Sequence, residues 1–480
     1  MFVILILSTR GASRSSRKSV SPNRICNELI LDVTLPAFPG PQFADFFSPG
    51  AAYNSSERSP PPRCHPGTRT DILEEIQGWV NRETPSTNIL WLHAPAGAGK
   101  SAIAQTIAEG AAKRGQLAAS FFFAKSSSRR NAKKHLLPTI AVQIAAATQG
   151  RRERLSTLLF EDPLLLNCDH GPVELIARLL TDPTFDANFT SSSPFLVVID
   201  GLDECGTRQD QTRILFEILE LVSVNCVPLR FLIVSRPEAH ITDAFDEESL
   251  SDVTERISIY GDHRAHNDIA VYLRAEFQSI RQSRKHRDIM QYIKGEWPSA
   301  AVIDELVEKS GGYFVYPSVV IRFVGEDGCD CRERLSRIMG IKSSDYDSDA
   351  QPFAELDKLY SEILSSYSPS QRPFIKRILG FICVLPYVDC LTDIADALPN
   401  VQEGQVRQIL RGLRSLLDID DDVHVTPFHK SFLDFLFDPD RARGFYIDRD
   451  EWCQVTFRYC FTAACESLRL ARHPIVGPRY

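Results

Sequence analysis

From Arg63 onward the chain alternates between two apolar patterns. In "TDILEEIQGWVNR" the residues Ile72, Ile76, Trp79 and Val80 recur at helical spacing and share one face, with Thr70 or Asp71 placed to cap the helix. Short runs that are apolar throughout follow: a strand over 88–93, then "LAASFFFA", "PFLVVIDG", "LRFLIVS" and the weaker "ERISIY". Continuous rather than alternating runs belong to strands buried on both faces, as in a parallel sheet covered by helices. A helix opening at Lys100 and another over "LLPTIAVQIAAAT" lie between these strands. The pattern predicts α/β architecture from about 64 to 260.

After Tyr260 the strand pattern nearly stops. Helical periodicity recurs at 265–280, 299–310, 313–324, 354–366, 371–383 and 402–417, interrupted by the acidic, serine-rich "KSSDYDSDAQP". The stretch "DDDVHVTPFHKSFLDFLFD" predicts a short strand leading into a helix, the ending of a winged-helix-like domain. Residues 1–62 are rich in Ser, Pro and Arg, close on "ERSPPPRC", and are expected to be a poorly structured arm with at most a short strand at "LILDVTL". The resulting division is an arm over 1–62, an α/β nucleotide-binding domain over 63–262, a helical domain over 263–340, an acidic linker over 341–352, a winged-helix-like domain over 353–440, and the start of a further helical region over 441–480. No internal repeat of the solenoid kind is present.

A chain of 480 residues holds two or three domains, and 43% hydrophobic with 24% charged residues supports ordinary cores. A net charge of -8 argues against a protein built to grip nucleic acid or anionic lipid. The basic loop "SSSRRNAKKH" lacks interleaved aromatics and reads as solvated. The 12 cysteines are scattered, "GCDC" lacks zinc-ligand spacing, and a reducing, cytoplasmic setting is expected. No apolar stretch is long enough to span a membrane. The start "MFVILILSTR" has its first basic residue after the apolar run, the reverse of a signal peptide, and an imperfect gene start explains it equally well.

Candidate chemistry begins where "NILWLH" runs into "APAGAGKS" and a helix opens at the lysine. Strand, small-residue loop and helix are the context of a phosphate-binding P-loop. Gly97 and Gly99 let the backbone of Gly97, Ala98 and Gly99 curl its amides inward, and the helix N-terminus adds partial positive charge. Lys100 would reach the β- and γ-phosphates, Ser101 would offer its hydroxyl to Mg²⁺, and Ala102 follows in the first turn. Ala94 stands where the usual pattern has its first glycine, so the loop must enter with ordinary dihedrals. The competing reading is a glycine-rich turn with a solvated lysine.

"PFLVVIDGLDECG" supplies an independent check. Asp200 ends a buried strand, where a carboxylate is costly unless a cation such as Mg²⁺ answers it. Asp203 and Glu204 follow on the turn, placed to orient or deprotonate an attacking water. Alone, "DGLDE" also fits an acidic surface turn. "FLIVSRPEAHI" brings Ser235 and Arg236 to a third strand tip, where the arginine either senses a γ-phosphate or pairs with a neighbouring acid.

On "CHPGTR", "ILEEIQGWV", "APAGAGKSAIAQTIAE", "SFFFAKSSSRRNAKKHLLPTIAVQIA", "FLVVIDGLDEC" and "RFLIVSRPE" the chain resembles NACHT proteins, signal-transduction ATPases of the STAND group, and among them the fungal nephrocystin-like branch. The resemblance runs from about 64 to 440 and implies an α/β P-loop NTPase domain followed by helical and winged-helix-like domains. It implies ATP/ADP with Mg²⁺ as cofactors, Pro317 of "SGGYFVYP" against the adenine, and His429 of "PFHKSFLDFL" touching the β-phosphate of ADP. Thr68 and Arg69 of "PGTR" would line the base pocket or serve only as a helix-capping turn.

The function implied is a slow ATPase used as a switch, with nucleotide exchange driving opening and homo-oligomerisation toward protein signalling partners, and no nucleic acid or membrane. The family usually adds a C-terminal repeat sensor and often an N-terminal effector. The expectation here is a truncated gene or a short member that borrows its sensor. A decayed scaffold and a P-loop kinase are the alternatives.

Overall fold

The structure is a computed structural model that describes residues 45–82, 87–125, 127–146, 149–166, 171–181, 195–223, 229–259, 264–340, 353–384, 403–419, 425–458 and 461. The expected strand at "LILDVTL" and the acidic linker lie outside the described residues. Two compact units are present, one holding 45–272 with 312–314, the other 273–311 with the residues from 315 onward.

The first unit is built on a sheet of five parallel strands, β1 (Ile89–His93), β2 (Leu117–Phe122), β3 (Phe195–Asp200), β4 (Leu229–Ser235) and β5 (Thr254–Ser258), in the order β2-β3-β4-β1-β5. Helix α1 (Thr70–Asn81) and helix α2 (Lys100–Lys113) cover one face, where Ile76, Trp79, Ile103 and Ala104 meet Leu90, Leu92, Val198 and Leu232. Helix α3 (Leu136–Ala146) and helix α4 (Arg208–Ser223) belong to the core on the other face, where Ile140, Ile144, Ile214 and Ile218 join Trp91, Phe121, Ile199 and Phe231. Both faces of each inner strand are therefore apolar, which is why the strands read as unbroken runs. Each fully buried Leu, Ile or Phe contributes about 1.5–3 kcal/mol by leaving water.

Two local devices complete the layer. Arg230 of β4 is almost wholly buried and donates to the carbonyls of Trp79, Val80 and Arg82, closing the C-terminal end of α1. At the outer edge of the sheet on β2, the Gln143 side-chain amide donates to Ser120 O (2.8 Å) and accepts from Ser120 N (2.9 Å), so a side chain takes the place of a further strand. The expected cap of α1 is different. Arg69 occupies the N-cap in the left-handed region (φ 57), and its amide donates to Asp268 Oδ2 (3.0 Å).

Residues 45–62, expected in the poorly structured arm, are instead packed on this unit. Ala51 is fully buried, Ser48 N donates to Thr139 Oγ1 (2.9 Å) and Tyr53 N donates to Ser120 Oγ (2.9 Å). The segment has no periodicity because its short 3₁₀ turns, Pro49–Ala51 and Ser56–Arg58, draw their order from contacts with β2, α2 and α3 rather than from a repeat of their own.

The second unit is mainly helical. It contains Ala300–Ser310, Val315–Val324, Cys331–Met339, Ala354–Ser365, Arg372–Val384 and Glu403–Gly412, then the antiparallel pair β6 (Leu417–Ile419) and β7 (Val425–Pro427) and helix α5 (Lys430–Leu436). The helix expected to reach 417 stops at Gly412, because Leu417 onward pairs with β7. Cys331–Met339 was not marked by periodicity; Asp330 caps it by accepting from the amides of Arg332 and Glu333. A further helix occupies 449–458. Among the described residues, no helix is long and apolar enough to cross a membrane.

Candidate nucleotide site

The loop between β1 and α2 has the predicted backbone. Gly97 (φ 77) and Gly99 (φ 92) adopt positive φ, and a Cβ added at Gly99 would meet open space, so the glycine there answers a conformational need. Among the described residues only Arg69 and Arg443 are non-glycine residues with positive φ, so Ala94 does enter with ordinary dihedrals. Ala94 is buried and its amide donates to Ser235 O of β4 (3.4 Å). Lys100 Nζ donates to Ala94 O and Pro95 O, both at 2.8 Å, and so folds back across its own loop. Ala102 sits in the first turn of α2, where its carbonyl accepts from Thr106 Oγ1 (2.8 Å).

Asp200, at the tip of β3, is 5% exposed, and the Ser101 side chain is among the groups that act on its carboxyl. Burial pushes its carboxyl up to about 6, and the Ser101 hydroxyl and the nearby Arg58 and Lys100 charges oppose that rise. The loop and the strand tip open at the same edge of the sheet with β4 between them, His93 in register with Ser235 and Asp200 with Val234. A hydroxyl and one buried carboxylate are hard oxygen donors of the kind Mg²⁺ takes, so the residues fit that ion. Among the described residues no group of three or more His, Cys, Asp and Glu forms a metal site. Phosphate oxygens and water would therefore supply most of such an ion's shell.

The turn after β3 divides its acids. Asp203 Oδ1 accepts from the Arg236 amide (3.1 Å), and its carboxylate pairs with the Arg236 guanidinium (3.4 Å). The strand-end ion pair is therefore present. Glu204 Oε2 accepts from Lys125 N (3.1 Å). Ser235 Oγ accepts from Trp91 Nε1 (2.9 Å), which ties the tip of β4 to β1.

Arg69 reaches the loop from the front of α1. It is 4% exposed, its Nη2 donates to Ala98 O (2.9 Å), and its guanidinium lies 4.9 Å from the Phe314 ring centre. Tyr272 bridges Phe314 (6.0 Å between ring centres) and His65 (5.6 Å), giving an aromatic group in the same unit. Thr68 turns away, its hydroxyl donating to His65 O (2.7 Å). The capping turn and a contact with the loop coexist at "PGTR".

Pro317 and His429 belong to the second unit. Pro317 is buried in the first turn of Val315–Val324, where a missing amide hydrogen costs nothing. His429 caps α5: its Nδ1 accepts from Ser431 N (3.1 Å) and lies 2.8 Å from Ser431 Oγ, which is 2.8 Å from Tyr360 Oη. An amide can only donate, so Nδ1 keeps its lone pair and the neutral ring carries its hydrogen on Nε2.

Two residues escaped sequence reasoning. Arg230 looks like one more polar residue at the start of an apolar run, and nothing local shows that it caps a helix from another part of the chain. Arg58 lies in the stretch read as an arm; its guanidinium sits 3.4 Å over the centre of the Phe122 ring, and Phe122 is in register with Asp200.

A family model described as Nephrocystin 3, N-terminal matches residues 67–236. That span holds the loop, Asp200, Asp203, Glu204 and Arg236, and agrees with the nephrocystin-like part of the resemblance. No curated protein matches the chain. Among solved structures, the Aeropyrum pernix ORC2 protein in its ADPNP–ADP complexes is similar at 12% identity, over 85% of this chain and 97% of that one, with a TM-score of 0.34. AMPPCP-bound DnaA from Aquifex aeolicus is similar at 13% identity, over 77% and 92%, with a TM-score of 0.31. The Aeropyrum pernix ORC1 protein in complex with DNA is similar at 13% identity, over 84% and 93%, also with a TM-score of 0.31.

Proposed function

We propose that this chain binds ATP and ADP with Mg²⁺ and works as a slow, STAND-type NACHT switch. The observation that carries the reading is a shared sheet edge: His93 is in register with Ser235 and Asp200 with Val234, so a loop shaped for phosphate and a buried carboxylate that a cation would relieve open at the same ends of parallel strands. Lys100 exchanges the carbonyls of Ala94 and Pro95 for phosphate oxygens, and Ser101 and Asp200 hold the magnesium ion. Bound magnesium supplies charge neutralisation across the phosphates. Asp203 positions Arg236, which leaves Glu204 to orient the attacking water. The purine lies near Ala98, against Arg69 and the aromatic group of His65, Tyr272 and Phe314. The family resemblance assigns Pro317 to the adenine and His429, with its hydrogen on Nε2, to the β-phosphate of ADP in the closed state.

Exchange for ATP removes that contact, and the protein opens to oligomerise with further copies and engage protein partners in the cytoplasm. In this reading residues 353–440 are the winged-helix-like element of the switch. This reading gives nucleic acid no part; Arg129 and Lys133 of the basic loop pair with Asp45 and Glu217, and Arg130 donates to Phe122 O.

The test is the nucleotide content of the purified protein, followed by turnover of wild type and Lys100→Ala. Co-purified ADP with slow, Lys100-dependent hydrolysis supports the switch. Well-folded protein indifferent to adenine nucleotides supports a decayed scaffold instead, and fast acceptor-dependent phosphoryl transfer supports a kinase.

A further inference from the structure

The segment Asp45–Arg63 crosses the edge of β2 and runs along α2, the helix that opens at Lys100. Gln105 Nε2 donates to Tyr53 O (2.9 Å), Cys64 N, just past the segment, donates to Thr106 Oγ1 (3.1 Å), and Arg63 pairs with Glu109 (2.8 Å). Arg58 is the part of this segment that packing alone does not explain. Its Nη1 donates to Gln105 Oε1 (2.7 Å) and Tyr53 O (3.1 Å), while its guanidinium is stacked on Phe122.

Phe122 and Asp200 are register partners on adjacent parallel strands, so their side chains project to the same face of the sheet. Phe122 lies in the apolar cluster on the α2 side, which puts the Arg58 cation on the side of the sheet to which Asp200 projects. The charges that act on Arg58 are Asp200, Arg130 and Glu109; those that act on Asp200 include Arg58, Glu204 and Lys100. Even half-buried on an aromatic ring, a guanidinium carries a desolvation cost that a strap serving only to cover an edge would avoid with a neutral side chain.

We propose that Arg58 makes Asp45–Arg63 a strap coupled to the metal–nucleotide site, docked while Arg58 answers Asp200 and loosened when a divalent cation does. This rests on the nucleotide reading above. The strap and the cation draw on the same negative charge, so each weakens the other, and the effect is reciprocal. A change at the phosphate site thereby reaches the segment that leads into the fold.

The experiment is a Mg²⁺ titration of the full chain with a fluorescent ADP analogue, in wild type, Arg58→Gln and Arg58→Lys. It is paired with amide hydrogen exchange of residues 45–63 in ADP with Mg²⁺ and in ADP with EDTA. Arg58→Gln is expected to tighten apparent Mg²⁺ affinity about five-fold, at the low end of coupling between sites. Arg58→Lys stays near wild type, and exchange at 45–63 is faster with Mg²⁺ in wild type and Arg58→Lys but not in Arg58→Gln. Analogue binding with equal Mg²⁺ affinity in wild type and Arg58→Gln overturns the strap and leaves the nucleotide reading intact. No analogue binding in folded wild type overturns both. Should Arg58→Gln fail to fold, exchange at 45–63 that is indifferent to Mg²⁺ in wild type is sufficient to reject the coupling.

Discussion

The phosphate loop and the His429 cap are built on different principles. At the loop the backbone is held from elsewhere in the chain, Ala94 by Ser235 and Ala98 by Arg69, whereas Lys100 folds back on its own loop. His429 is held mainly by its near neighbour Ser431, with Tyr360 as the distant support. The first arrangement is a set of strand tips and turns locked by a sheet with a core on each face. The second is a helix cap, and its geometry survives as long as one turn of helix does. The contrast teaches that changes at the loop should act on binding with little local disturbance, whereas changes around His429 should act on a local structure first.

Four substitutions sharpen or break that contrast. Lys100→Ala should have the largest effect, weakening ADP binding on the order of a hundred-fold by removing a charge-assisted contact to phosphate, with the unfolding midpoint little changed. Calorimetric titration alongside a thermal melt measures both; a large loss of stability would mean that the lysine mainly braces the loop.

Asp200→Asn should stabilise the metal-free protein by roughly 2–3 kcal/mol at neutral pH. The buried carboxyl titrates at about 6 against an unfolded value near 3.8, so its ionised form is disfavoured in the fold. That penalty is absent below the unfolded value, grows between 3.8 and about 6, and is complete above it. Urea unfolding of wild type and variant at both ends of this window, with EDTA, should show the gap only at the higher pH. An equal gap at both would trace the change to packing rather than charge.

Tyr360→Phe should cost about 1 kcal/mol by leaving Ser431 Oγ with one partner fewer. Nitrogen NMR of the histidine rings should still find the His429 hydrogen on Nε2, because Ser431 N remains. A switch of that hydrogen to Nδ1 would show that the distant tyrosine, not the cap, sets the ring. Arg82→Gln, which breaks a half-exposed pair with Glu255, should change stability by under about 0.5 kcal/mol. A larger value would mean that the pair helps Arg230 hold the end of α1.

Much of this protein was legible along the chain. Unbroken apolar runs announced strands buried on both faces, and "APAGAGKS" announced its own loop, because the dihedrals of Gly97 and Gly99 and the helix that follows are local matters. Asp200 was legible for a related reason: a carboxylate at the end of an apolar run has to be answered by something.

Tertiary structure alone decided which partner answers each group. It set β4 between β1 and β3, committed Asp203 to Arg236, sent Arg230 to the end of α1, and laid residues 45–62 against β2 and α2. Periodicity reports which face of an element is buried, and a turn motif reports the dihedrals it needs. Neither reports a hydrogen bond or ion pair made between residues far apart in the chain, since those depend on strand order and on a segment whose order comes entirely from the surface it covers.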